Sequence, residues 1–217
     1  MSAAMIELLV LAFGETVLMV LASALFSALI GIPLGVALHV TKPGQILAHA
    51  KLQLLLGTLV NIGRSVPFII LLVAIIPFTR FIVGTSIGTI AAIVPLTVGA
   101  IPFVARLIEG ALIEVPFGLQ EAAQAMGAKP LQIIHKVLLP EALPGIINGL
   151  TITLVTLVNY SAMAGAIGGG GLGDVGIRYG YQRFDPTVML ITVVILVLLV
   201  QLIQGLGDRL VKYVDHR

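Results

Sequence analysis

Long apolar stretches alternate with short polar ones along this chain, and the apolar stretches approach the length of a bilayer-spanning helix. Such a helix needs about 20 mainly apolar residues. The sequence predicts five transmembrane helices, which cover approximately residues 16–40, 56–78, 82–106, 142–166 and 186–206. The second stretch differs from the others because Arg64 stands near its start. Its uncharged part, residues 65–79, is too short to span a bilayer by itself.

The composition supports a membrane protein. Of the 217 residues, 59% are hydrophobic and 10% are charged, whereas soluble domains average about 25% charged residues. We therefore predict an all-α, polytopic membrane protein with a single transmembrane domain over residues 1–217. The chain has no cysteine, which excludes disulfides and thiolate metal sites. Its first residues carry no basic segment or cleavage site, so no removable signal peptide is expected.

The basic residues fall unevenly on the two sides of the predicted bundle. With the N-terminus outside, the outer side receives Arg80, Arg178 and Arg183. The inner side receives nine, namely Lys42, Lys51, Arg64, Arg106, Lys129, Lys136, Arg209, Lys212 and Arg217. Lys and Arg concentrate in cytoplasmic loops. The sequence therefore predicts an outer N-terminus, a cytoplasmic C-terminus and a cytoplasmic segment at residues 121–140.

The sequence lacks the motifs of an enzyme. No GxxxxGK[ST] motif is present, so the chain does not bind ATP through a P-loop. Gly168, Gly170 and Gly173 match GxGxxG, but they follow a predicted membrane helix, which favours a tight turn over a dinucleotide site. The histidines show no metal-ligand spacing, and we expect no catalytic residue, metal or nucleic-acid partner. Few ionisable residues lie within the spans, which disfavours a proton- or sodium-driven carrier.

Glycine pairs at GxxxG spacing are candidate helix contacts, because they let two backbones approach closely in lipid. Several such matches are expected by chance in a chain with 24 glycines. The four candidate pairs are Gly31/Gly35, Gly84/Gly88, Gly145/Gly149 and Gly165/Gly169.

The polar segment at residues 121–140 predicts two short helices joined by a turn. Its first helix, 117–126, has an apolar face formed by Leu119, Ala122, Ala123 and Met126. Gly127 suits a left-handed helix end, and Pro130 suits the first position of a second helix that reaches Leu139. The pattern alone leaves two interpretations open, an amphipathic loop lying on membrane lipid or a docking surface for another protein.

The same segment resembles the signature of the membrane subunits of bacterial ATP-binding-cassette importers. The matching positions are Glu121, Ala122, Ala123, Gly127, Val137, Leu139 and Pro140. Val137 is the one departure, since isoleucine is usual there. The resemblance implies that these residues and Met126 belong to coupling helices over 117–139, which insert into a groove of an ATPase subunit.

Further stretches resemble the permease subunits of methionine importers, among them RSVPFIILLVAIIPFTR and YSAMAGAIGGGGLG. The resemblance implies a type I importer fold in the bacterial cytoplasmic (inner) membrane and a homodimer of this chain. It also implies two ATPase copies, which carry the ATP and Mg, and an external methionine-binding lipoprotein. The function implied is import of D- or L-methionine and close analogues by alternating access. Import of another small amino acid, a stand-alone channel or secondary carrier, and a membrane assembly protein stay open as alternatives.

Polar residues in the fourth predicted span are candidates for the transport pathway. Asn159, Tyr160 and Ser161 interrupt an aliphatic stretch, with Met163 as a candidate apolar gate. The alternative is that the polar groups only bond neighbouring helices and that the methionine fills a gap in the core.

Other charged residues also have two interpretations. Arg64 or Arg106 pairs with Glu109, or the arginines extend to the cytoplasmic interface. The outer loop, residues 174–185, contacts a delivery protein or anchors the chain at the membrane interface.

Overall fold

The computed structural model describes residues 3–215, and all of the regular structure in this part of the chain is helical. Arg217 and His216 lie outside the described residues. The helices are, in chain order, α1 (Ala3–Val40), α2 (Ala50–Ser65), α3 (Phe68–Ala74), α4 (Ile76–Val83), α5 (Thr89–Ile113), α6 (Phe117–Ala125), α7 (Pro130–Ile133), α8 (Leu139–Glu141), α9 (Leu143–Ala166), α10 (Gly171–Val175) and α11 (Pro186–Val214). Two π-helical segments, Ile134–Leu138 and Gly176–Tyr181, precede α8 and follow α10. The all-α prediction is therefore confirmed for residues 3–215.

Within residues 3–215, four helices are long and apolar enough to cross a membrane, namely α1, α5, α9 and α11. The α2–α3 pair would supply a fifth crossing if it is counted as one broken span. Helix α1 has 38 residues, so it is about 57 Å long. This exceeds the hydrocarbon core of about 30 Å, and α1 begins at Ala3, well before the predicted span 16–40.

A continuous helix over residues 56–78 is wrong, because the chain bends by 98° between α2 and α3. The bend lies at Val66 and Pro67, where both residues are extended, with ψ angles of 123° and 132°. Proline disfavours helical geometry in the residue before it. The sequence contains this signal, but the apolar residues on both sides of it concealed the break.

The third predicted span, 82–106, is displaced toward the N-terminus relative to α5, which covers Thr89–Ile113. Gly84 (φ 81°) ends α4 in the left-handed region and Gly88 (φ 98°) precedes α5, so the two glycines form a loop within the apolar stretch. At its C-terminal end, α5 continues past Arg106 and Glu109 to Ile113. The two charged side chains form an ion pair, so neither charge is left uncompensated.

Helix α5 lies at the centre of the bundle and packs against α1, α2 and α9. A Cβ atom on Gly35 of α1 would lie 2.6 Å from the Ala105 carbonyl oxygen, and Gly31 is equally close to Val104. From the opposite side, a Cβ on Gly145 would lie 2.8 Å from the Ala111 Cβ, and Gly149 meets Leu107. These two GxxxG pairs are therefore helix contacts, whereas nothing lies within 4 Å of such an atom on Gly84 or Gly88.

The glycine run at residues 168–171 forms the predicted tight turn between α9 and α10. Gly168, Gly170 and Gly171 have φ angles of 92°, 78° and 74°, a region that glycine enters without steric cost. Two side chains of α1 hold this turn, because the Gly171 amide donates to Glu15 Oε2 (2.7 Å) and the Leu172 amide to Thr16 Oγ1 (2.9 Å). The C-terminal end of α9 is thereby attached to α1.

We expect Gly35→Ala to lower the free energy of unfolding by about 1–3 kcal/mol, because the added methyl would overpack the α1–α5 contact. The thermal unfolding midpoint of the purified protein in detergent measures this effect. Gly14→Ala on the same helix is the matched control, since nothing lies within 4 Å of its added Cβ and alanine favours a helix by about 1 kcal/mol over glycine. Equal midpoints for the two variants would contradict the contact.

Candidate functional site

The segment from α6 to α8, residues 117–141, is called the docking segment here because it combines an exposed face with a rigid turn. Its first helix ends in a Schellman motif, in which the Ala128 amide donates to the Ala123 carbonyl (3.0 Å) and the Gly127 amide to the Gln124 carbonyl (2.9 Å). Gly127 takes the required left-handed conformation with φ 79°. The second helix begins at Pro130 as predicted, with the Lys129 amide donating to Gln132 Oε1 (2.8 Å).

The two faces of α6 differ from the prediction at one position. Glu121, Ala122 and Met126 are exposed, with Met126 81% exposed. Ala123, predicted to contact a partner, is buried against the chain's own core, and Gln120 is buried beside it. Ala123 therefore packs α6 against the core, since a small side chain allows close approach. Its exposed neighbours form the surface of the segment that faces away from the core.

Apolar side chains on the buried face of the docking segment anchor it to α5. Ile133 and Leu138 are buried in one cluster with Ile108 and Leu112 of α5, and Leu139 packs against the same cluster. The predicted uninterrupted second helix is instead π-helical over Ile134–Leu138. Pro140 has no amide hydrogen to donate to the preceding turn, and a wider turn before it accommodates this loss. Leu139 and Pro140 thus connect the segment to α9.

Four polar side chains form an ionic cluster where α2 and the C-terminal half of α5 meet the turn that follows α1. Glu109, 3% exposed, forms an ion pair with Lys42 (Nζ–Oε1 2.7 Å) and accepts a hydrogen bond from Arg106 Nη1 at 2.6 Å. Arg106 Nη2 also donates to Asn61 Oδ1 of α2 at 2.7 Å. The structure thus places Arg106, and not Arg64, beside Glu109. The charges compensate one another in a region where an unpaired charge would be costly.

The structure separates the four predicted pathway residues. Asn159 and Met163 are exposed on one face of α9, and Met163 is 44% exposed. Ser161 is buried and donates to the Val158 carbonyl of its own helix (2.7 Å), so it is a packing residue in this chain. Tyr160 points elsewhere and stacks on Phe68 of α3, with ring centroids 4.1 Å apart and planes 2° from parallel.

The stacked rings belong to a cavity of about 150 Å³ that sequence reasoning missed. It lies beside the bend between α2 and α3 and reaches the middle of α5. Its lining residues are Gly63, Arg64, Val66, Phe68, Leu71, Gly99, Phe103 and Tyr160. Arg64, which the basic-residue count assigned to the inner side, therefore lies at the level of mid-α5. A single arginine directly before a Ser-Val-Pro break was the signal that could have indicated it.

The loop before α11 has both internal contacts and exposed aromatic residues. Arg178 donates a hydrogen bond to Asp174, and the closest atoms of the two side chains are 2.6 Å apart. This bond and the negative charge of Asp174 raise the pKa of the Arg178 guanidinium. The Arg183 guanidinium lies over the Tyr179 ring, 4.5 Å from its centroid. Tyr181 and Phe184 are 67% and 85% exposed. Among residues 3–215 no group of three His, Asp or Glu side chains could hold a metal ion.

Comparison with known proteins gives consistent matches over nearly the whole chain. Residues 31–217 match the family described as the binding-protein-dependent transport system inner membrane component. A Vibrio cholerae protein named "Probable D-methionine transport system permease protein MetI" is 65% identical over 211 residues, covering 97% of this chain and 94% of the relative. The Escherichia coli "D-methionine transport system permease protein MetI" is 63% identical over 165 residues, or 76% of each chain.

Solved structures agree with these matches. A chain of the MetNI methionine ABC transporter in inward-facing conformations has a TM-score of 0.98 and 60% identity, with full coverage of both chains. A second structure, of an amino acid ABC transporter, has a TM-score of 0.79 at 17% identity and shows a shared fold only. The fold is therefore that of type I importer permeases.

We expect Glu109→Gln to destabilise the α2–α5 contact by about 1–3 kcal/mol, because Lys42 and Arg106 would both lose a charged acceptor. Faster hydrogen exchange of the α2 backbone amides would report this loss. Glu114→Gln at the end of the same helix is the control, since Glu114 is exposed. If α2 exchange is unchanged in Glu109→Gln, the ionic cluster does not hold α2 in place.

Proposed function

This chain belongs to the family of binding-protein-dependent transport system inner membrane components, and we propose that it is the membrane-spanning permease subunit of an ATP-driven methionine importer. The observation that carries the proposal is the docking segment, which is exposed on one face and anchored to α5 on the other. The chain has no P-loop, so energy must come from a partner. Methionine is proposed as the substrate because that is the substrate in the names of close relatives.

The proposed topology has five crossings, with the N-terminus outside and the C-terminus in the cytoplasm. In this topology α2 and α3 together make the second crossing, broken at Pro67. Basic residues still favour the inner side after Arg64 is removed from the count, since Lys42, Lys129 and Lys136 all lie on that side, outside the four long apolar helices. Arg80 and Arg178 are on the outer side.

The docking segment is proposed to bind a cytoplasmic ATP-binding-cassette ATPase, which carries ATP and Mg. Glu121, Ala122 and Met126 form the contact surface, because they are exposed in a segment that is otherwise well packed. Gly127 fixes the turn, while Ala123, Leu139 and Pro140 join the segment to the helical core. A rigid element of this kind transmits movement of the ATPase to α5 and α9.

A homodimer is proposed because α9 presents two asparagine side chains on its exposed face. Asn148, Asn159 and Met163 are exposed on the single chain, and amide side chains are unfavourable in lipid. A second copy facing α9 would enclose these residues in a pathway along the two-fold axis. Alternating access then opens this pathway to each side in turn, and the exposed Tyr181 and Phe184 offer an outer surface for a methionine-binding protein.

We expect Glu121→Lys to reduce methionine uptake and ATPase co-purification by about tenfold or more, because reversing a charge at an interface costs several kcal/mol. Uptake of labelled methionine into proteoliposomes holding the full complex measures the first quantity, and affinity purification the second. Glu7→Lys is the matched control, since it makes the same charge reversal at an exposed position of α1.

Two outcomes would contradict the coupling role. Normal uptake and normal co-purification in Glu121→Lys would remove Glu121 from the contact surface. Equal losses in Glu7→Lys would indicate a general defect in insertion, which immunodetection of the protein in membranes would reveal.

We expect Asn159→Cys and Met163→Cys to react with a membrane-impermeant maleimide from the outside in the nucleotide-bound complex. The natural chain has no cysteine, so each variant carries one reactive thiol. Ser161→Cys is the matched control on the same helix, because Ser161 is 1% exposed, and it should stay unlabelled. Absence of labelling at residues 159 and 163 in every nucleotide state would remove α9 from the pathway.

A further inference from the structure

We propose that the cavity beside the α2–α3 bend is a substrate subsite, in which Arg64 binds the carboxylate of an amino acid and the stacked rings of Phe68 and Tyr160 receive its apolar side chain. This inference deepens the proposed function and rests on it. Nothing in the docking segment or in the exposed face of α9 requires this cavity, so its chemistry is an independent observation.

The guanidinium of Arg64 has no partner among residues 3–215, the part of the chain that the structure describes. The structure shows no hydrogen bond or ion pair for Arg64 in this range, and the residue is exposed at the edge of the cavity. Arg106, which joins the same two helices, is bonded to Glu109, Asn61 and the Gly57 carbonyl. The chain therefore compensates one of its two arginines at the α2–α5 contact and leaves the other free.

Arg64 lies level with the middle of α5, and this position makes its lack of a charged partner significant. The cavity is also lined by Gly99 and Phe103, which stand near the middle of α5, and by Tyr160 in α9. An arginine at this level is unfavourable toward lipid, and such residues face a bundle interior or a wet pathway where they meet a partner. Planar carboxylates are the preferred partners of a guanidinium, because both can bond in a bidentate way.

The remaining lining residues fit a short apolar side chain. Phe68 and Leu71 are largely enclosed and Phe103 closes another wall. The volume is about 150 Å³, a size that holds benzene when such a cavity is engineered in a protein core. A thioether packs favourably against aromatic rings. The cavity thus accommodates the side chain of one small amino acid and is too small for a peptide.

The cavity contains no acidic side chain among its lining residues, which gives the proposal a specific consequence. The ammonium group of a bound amino acid would have no charged partner there and would remain toward the open, solvated side. Recognition should therefore depend on the carboxylate and the side chain and be nearly independent of the amine.

The test uses the complete complex of this chain with its ATPase, purified in detergent without the binding protein and without nucleotide. Equilibrium binding of labelled methionine is measured, with two competitors of the same side chain. We expect 4-(methylthio)butanoate, which lacks only the amine, to compete about as well as methionine. We expect 3-(methylthio)propylamine, which lacks only the carboxylate, to compete at least tenfold less well, since a hydrogen bond to a charged group is lost.

Variants assign the effect to this cavity. Arg64→Gln should weaken methionine binding about ten- to hundredfold and abolish the preference for the carboxylate analogue, whereas Arg64→Lys should lose less because the charge remains. Tyr160→Leu should weaken binding of both methionine and the butanoate, while Tyr160→Phe keeps the stack. Arg209→Gln is the control, since Arg209 is exposed near the inner end of α11.

Transport separates failure of this inference from failure of the proposed function. In proteoliposomes with ATPase and binding protein, the unchanged chain should import methionine, and Arg64→Gln should raise the KM. If the unchanged chain imports methionine but Arg64→Gln binds and imports equally well, or if the nucleotide-free complex binds no methionine, the subsite is overturned while the importer stands. If the unchanged chain imports no methionine, the proposed function fails, and the binding assay alone decides the subsite.

Discussion

The close approach of α1 and α9 to α5 is the constraint on which the rest of the structure depends. In lipid there is no hydrophobic force between helices, so association depends on packing, interhelical hydrogen bonds and lipid entropy. Gly31 and Gly35 on one side, and Gly145 and Gly149 on the other, bring two helix backbones against α5. Helix α5 is thereby fixed, and its side chains can serve as a frame for everything placed around it.

Three functional elements are attached to this one helix at successive levels. Val115, just after its C-terminal end, and Ile108 share a buried cluster with the docking segment. Glu109 and Arg106 hold α1 and α2 through the ionic cluster. Gly99, near its middle, forms a wall of the cavity that Arg64 lines. Because these attachments are short and well packed, a displacement of the docking segment would act on α5 without being absorbed by a flexible joint.

The sequence was informative where one local rule decided the structure. Gly127 and Pro130 specify a helix end and a helix start, and both were predicted correctly. The sequence was less informative where contacts between different helices decide the structure. The register of α5 depends on the compensation of Arg106 by Glu109, and the inward orientation of Ala123 depends on the cluster beneath it. The position of Arg64 followed from a bend that hydropathy does not detect.

The break at Val66 and Pro67 and the unpaired charge of Arg64 have a common physical explanation. Non-helical backbone at membrane depth is tolerated only where it is buried in protein or lines a wet cavity, since its polar groups otherwise go unsatisfied. An unpaired guanidinium requires the same surroundings. Val66 and Arg64 both line the cavity, so one solvated space satisfies both requirements. A span that served only to anchor the chain would need neither feature, which supports the substrate subsite proposed at this bend.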